Sequence, residues 1–75
     1  VHRVPVESSS IDSVRYEKNV LEVRFRDGGL YQYFDVPETV LASLMHADSK
    51  GRFFNRQIRG RYPAMRLEQG RAPVA

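Results

Sequence analysis

Cysteine is absent from the 75 residues, and so is tryptophan. Without cysteine there is no disulfide framework and no thiolate metal site. Small secreted domains lean on disulfides, so the lack favours a reducing compartment. No apolar run approaches the roughly 20 residues that span a bilayer, and the opening VHRVPVESSS has no apolar core of a signal peptide. These absences lead us to expect a soluble, cytoplasmic chain that uses no membrane. The length allows one domain with a modest core.

Histidine is scarce too. His2 and His46 lie far apart in the chain, and His46 falls where a helix should end and a cation suits the dipole. No metal site is expected. No Gly-x-Ser-x-Gly pattern occurs, and no serine stands near a histidine in a recognisable arrangement. Gly28-Gly29 belongs to a hairpin and not to a strand–loop–helix phosphate cradle. Glu22 and Asp35 fall on strand surfaces, where acids are ordinary. We therefore expect no enzyme, no catalytic residue and no cofactor.

What the chain does have is a charge asymmetry. Residues 1–48 hold five cations against eight anions, and residues 49–75 hold seven cations against one anion, Glu68. Such a split points towards an anionic partner. The cations gather in SKGRFFNRQIRGRYP, residues 49–63, which carries Lys50, Arg52, Arg56, Arg59 and Arg61 and no acid. Arginine is suited to bidentate contact with phosphate. The plain alternative is a solvated helix face with arginine stems covering apolar surface.

Residues 1–9 are polar and aperiodic and read as a flexible arm. IDSVRYE (11–17) reads as a strand, EKN as a turn, and VLEVRFR (20–26) alternates cleanly, with Leu21, Val23 and Phe25 facing one way. Asp27-Gly28-Gly29 signals a hairpin, and LYQYFDV (30–36) forms the third strand. A three-residue loop of Arg26, Asp27 and Gly28, with Gly28 at positive φ, pairs Val23 with Tyr31 and Leu21 with Tyr33. A two-residue loop would instead pair Phe25 with Leu30 and bury Gln32 between apolar neighbours. The first register is favoured, and it turns Tyr31 and Tyr33 towards the core. Alternate aromatics on a strand can also stack bases, and that second reading of Tyr31 and Tyr33 stays open.

Residues 36–47 read as a helix, with Pro37 at the first helical position and a stripe of Val40, Leu41, Leu44 and Met45. Asp48 or Ser49 caps a second helix over residues 50–59. On it Phe54 and Ile58 share one face, and Arg52, Arg56 and Arg59 form a stripe on another. Gly60 stops it. Residues 64–75 lack periodicity and are expected to fray. The expected fold is α+β: a three-stranded antiparallel β-meander followed by two short helices packed on one face, spanning residues 10–63. Its core is expected to join Val23, Phe25, Leu41, Leu44, Phe54 and Ile58.

Several of these residues recur at fixed spacings in a known family. Tyr31 and Tyr33, then Asp35-Val36-Pro37, then Ser49-Lys50-Gly51 leading into Phe53-Phe54-Asn55, then Ile58-Arg59 and Tyr62 resemble the KTSC domain, and IDSVRYE resembles its first strand. The family is named for a module at the C-terminus of some lysyl-tRNA synthetases and also occurs as small stand-alone bacterial proteins. The likeness covers residues 9–63. It implies a bacterial domain without an established activity, for which RNA binding has been suggested from the synthetase context. With the basic stretch, it leads us to expect non-catalytic binding of structured or tRNA-like RNA by Lys50, Arg52, Arg56, Arg59, Arg61 and Phe53. The alternative is a protein–protein interaction module that uses Phe53 or a sheet edge.

Overall fold

The structure, a computed structural model, describes residues 4–5 and 10–69. Strands β1 (Val4–Pro5), β2 (Ile11–Glu17), β3 (Val20–Phe25) and β4 (Leu30–Tyr33) precede helices α1 (Glu38–His46) and α2 (Lys50–Gln57), and β5 (Ala64–Glu68) closes the order. The five strands form one antiparallel sheet in sequence order.

The α+β class is the one expected, but among the described residues the sheet has five strands and not three. Residues 64–68, expected to fray, pair with β4, Tyr33 standing opposite Ala64 and Gln32 opposite Met65. The free edge of β4 offers a ladder of backbone groups. Phe34 N donates to Pro63 O at 2.8 Å, which brings the returning chain alongside. Within the expected arm, Val4 and Pro5 pair with Val14 and Ser13. The rest of the arm, including His2, Ser8 and Ser9, and residues 70–75 lie outside the described residues.

The two hairpins follow from turn chemistry. Lys18 and Asn19 both have positive φ, 50° and 65°, as a two-residue turn between twisted strands requires. The β3–β4 loop is Arg26-Asp27-Gly28. Gly28 N donates to Phe25 O, Phe25 N to Gly29 O, and Gly28 has φ of +97°. Asp27 Oδ1 accepts from Gly29 N at 2.9 Å. The register is the favoured one: Val23 opposite Tyr31, Leu21 opposite Tyr33. Gln32 therefore lies on the face away from the helices, where its amide donates to Glu22 Oε1.

The helix-facing side of the sheet forms the core. Ile11, Val14, Leu21, Val23 and Tyr33 are buried with Val36, Leu44, Phe54 and Ile58. Phe25 and Leu41, expected to be buried, are half-buried against this cluster, as are Val40 and Met45. Phe25 is the last residue of β3, so its ring reaches the end of the layer.

Both helices start where the sequence allows, and α2 ends early. Pro37 is the N-cap of α1, one position before the first helical residue. Ser49 Oγ accepts from Arg52 N at 3.3 Å and caps α2. Beyond Gln57 the chain tightens: the amides of Ile58 and Arg59 both donate to Phe54 O, and Arg61 N donates to Ile58 O. Gly60, at φ of +77°, takes the third position of that last turn.

Candidate nucleic-acid interface

The residues of the basic stretch do not act as one surface. Arg52 and Arg56, one helical turn apart, are exposed on the side of α2 opposite the buried Phe54. Arg59 does not continue their stripe, because the helix stops at Gln57. It lies on the rim of a cleft between α2 and the β3–β4 hairpin. Lys50 is half-buried and its Nζ donates to Ala47 O at 3.1 Å, closing the C-terminal end of α1. Arg61 Nε donates to Arg56 O at 2.8 Å, on the last turn of α2. Phe53 is half-buried against the core, so its ring is no open platform.

The arginines divide by partner. Arg24 meets Glu68 through Nη1 and Nη2 at 2.8 and 3.3 Å, Arg26 lies 3.8 Å from Asp12, and Arg15 lies 3.9 Å from Glu17, whereas Arg66 of β5 has no carboxylate partner among the described residues. The carboxylate of Glu68 holds the Arg24 guanidinium more firmly protonated than usual. Among the described residues no carboxylate pairs with Arg52, Arg56 or Arg59. Neither Glu22 nor Asp35 neutralises them.

The cleft beside Arg59 has a volume of about 190 Å³ and is walled by Phe25, Tyr31, Tyr33 and Phe54, with Asp27 and Gly29 on the hairpin side. Tyr33 is 5% exposed and belongs to the core, whereas Tyr31 is half-buried and lies between core and cleft. Burial pushes the Tyr33 phenol above its ordinary value, Arg59 draws it part of the way back, and Tyr31 adds to the rise. Strand alternation and the hairpin register are enough to put Phe25 and Tyr31 on one face. The sequence carried no signal that Arg59 would join them, because that depends on where α2 stops.

On the far face of the sheet a wider hollow is lined by Arg15, Glu17, Lys18, Val20, Glu22 and Gln32. Its charges are mixed. Among the described residues no three histidine or acidic side chains are placed to hold a metal, and no helix is long and apolar enough to cross a membrane.

Comparisons with known proteins show the family and the fold. The model of the KTSC domain matches residues 7–62. A small protein of Tsukamurella paurometabola is 40% identical over 65 residues, 84% of this chain and 97% of that protein. An uncharacterized protein of Stutzerimonas stutzeri is 49% identical over 55 residues, 71% of this chain and 78% of its own length. A lysine–tRNA ligase of Trichormus variabilis is 41% identical over 58 residues, which are 75% of this chain but 10% of the ligase. Among solved structures, the crystal structure of a KTSC domain protein from Yersinia pestis superposes with a TM-score of 0.84 at 43% identity, covering 89% of this chain and 97% of that one.

Proposed function

The chain belongs to the KTSC domain family, and from that premise we propose that it is a non-catalytic domain that binds structured or tRNA-like RNA through Arg52, Arg56 and Arg59. One observation carries the reading. Arg15, Arg24 and Arg26 are paired with acids, while these three, like the exposed Arg66 of β5, have no carboxylate partner among the described residues. Exposed guanidinium groups of this kind contact phosphates and release condensed counterions, which gives affinity with little sequence preference. Related sequences within lysine–tRNA ligases support RNA as the partner by context. They are also compatible with a cytoplasmic setting, which this reading implies. Lys50 and Arg61, tied to backbone carbonyls, add charge to the surface and hold helix ends.

The test is binding of a labelled tRNA and of an unrelated structured RNA at a series of salt concentrations. Three or four phosphate contacts give a slope of log K against log salt of roughly −2 to −4. Absence of salt-dependent binding to either RNA at low ionic strength refutes the reading.

A second reading has its own observation. All five residues of β5 are exposed, including Met65 at 54% and Leu67 at 42%, and β5 is an edge of the sheet. An edge strand with apolar side chains outward is suited to pairing with a strand of a protein partner. That interaction module takes over if RNA binding is absent.

A further inference from the structure

Phosphate contact by Arg52 and Arg56 leaves the cleft on the Phe54 side of α2 without a use. Its walls are aromatic and interlocked. Phe25 meets Tyr31 edge-on with ring centroids 5.7 Å apart, and Tyr31 lies nearly parallel to Tyr33 at 6.3 Å. Phe54 meets Phe25 edge-on from the helix side at 5.3 Å. Such rings hold one another in place, so the walls are set before any guest arrives. The volume of about 190 Å³ is below the roughly 300–1,000 Å³ of pockets that enclose a whole small ligand. It suits one flat heteroaromatic ring.

Charge narrows the class of guest. An aromatic cage can hold a methylated ammonium group, but here the lining carries one charge of each sign, Asp27 and Arg59, so it suits a guest that brings both an N–H donor and an anion. A neutral aromatic side chain would leave the guanidinium without a partner. A nucleobase carries its own phosphate, so the ring can stand against the tyrosine and phenylalanine walls while Arg59 meets the anion. Asp27 spends Oδ1 on the Gly29 amide, and its other oxygen can accept from a base N–H.

We infer that this cleft is a single-nucleotide site, taking one unpaired RNA base against Tyr31 and Phe25 with the adjoining phosphate at Arg59. The inference rests on the RNA reading and deepens it. It makes the preferred target a loop, bulge or end of a structured RNA, where a base can leave its stack.

The experiment compares a short single-stranded RNA with an abasic ribose–phosphate strand of the same length and charge, by fluorescence anisotropy with the whole domain. The base-bearing strand should bind about tenfold more tightly, as one stacked base contributes. Tyr31→Phe should keep that preference, and Tyr31→Leu should lose it while still binding both strands. Equal affinity of wild type for the two strands overturns the nucleotide site, leaves the basic-face reading intact and returns the cleft to a protein guest. Failure of wild type to bind either strand or a structured RNA overturns both. A folded Tyr31→Leu domain that keeps the full preference also overturns the assignment. If that variant does not fold, the comparison of the two strands on wild type decides alone.

Discussion

Tyr33 and Phe54 meet edge to face, ring centroids 5.2 Å apart and planes at 82°, and this contact joins the sheet to the second helix. Tyr33 comes from β4 and Phe54 from the buried line of α2. The same Phe54 ring touches Phe25. The joint fixes where α2 lies and so where Arg52, Arg56 and Arg59 are presented.

Phe54→Ala should therefore remove about 3–5 kcal/mol, a large share of the stability of a domain this small. Phe25→Ala should cost less, since Phe25 is half-buried and Phe54 is buried. Denaturant melts of both variants check the order. A Phe54→Ala domain with an unchanged midpoint contradicts the packing.

Gly28→Ala tests the hairpin. No atom lies within 4 Å of the position a Cβ would take, so the substitution meets no clash. The φ of +97° alone makes it costly, by about 1–2 kcal/mol. Cross-strand NOEs between Val23 and Tyr31 should persist in wild type. NOEs between Phe25 and Leu30 as direct partners contradict the register.

Alkaline pH should destabilise the domain through its tyrosines. The folded Tyr33 phenol titrates above the ordinary 10.0, chiefly because it is buried. Burial and the nearby Glu38 also raise Tyr16, whose hydroxyl donates to Val36 O. In the folded state these groups hold their protons more tightly than in the unfolded chain. Their contribution is thus fully present below about pH 10 and is lost as pH rises through the folded values. Melts at neutral pH and at steps above about pH 10 should show the decline, and Tyr33→Phe should flatten it.

Much of the fold was legible because period and turn chemistry are local. Leu21, Val23 and Phe25 alternate, Gly28 can take positive φ, and Val40, Leu41, Leu44 and Met45 recur at helical spacing. Strand β5 was not legible. Ala64, Met65, Arg66, Leu67 and Glu68 are all exposed, so no buried face imprinted an alternation on them. Their pairing is set by distant partners: Pro63 O with Phe34 N, and Glu68 with Arg24. At the site, the spacing of Arg52 and Arg56 is enough to show that they share a face. Helical spacing extends that stripe to Arg59, and the structure does not. The early end of α2 depends on the amides of Ile58 and Arg59 sharing Phe54 O, which no spacing records.

Arg24→Gln should loosen β5 locally. It removes the paired contact with Glu68 and the bond from Nη1 to Gly28 O in the β3–β4 loop, and leaves the core untouched. Amide exchange should accelerate for residues 64–68 while the core amides of Val23 and Phe54 keep their protection. Uniform acceleration across the domain contradicts this local role.

The most direct test of the RNA reading is the variant with Arg52, Arg56 and Arg59 all changed to Gln, titrated with structured RNA across salt beside the wild type. Gln keeps a helix-forming side chain in place of each arginine, and none of the three is buried, so the melting curve should hold. Affinity should fall at low salt. The magnitude of the log K against log salt slope should drop by roughly 2, about 0.7–0.9 for each phosphate that an arginine no longer neutralises. A folded triple variant that binds RNA as tightly as wild type, with the same salt slope, contradicts the account.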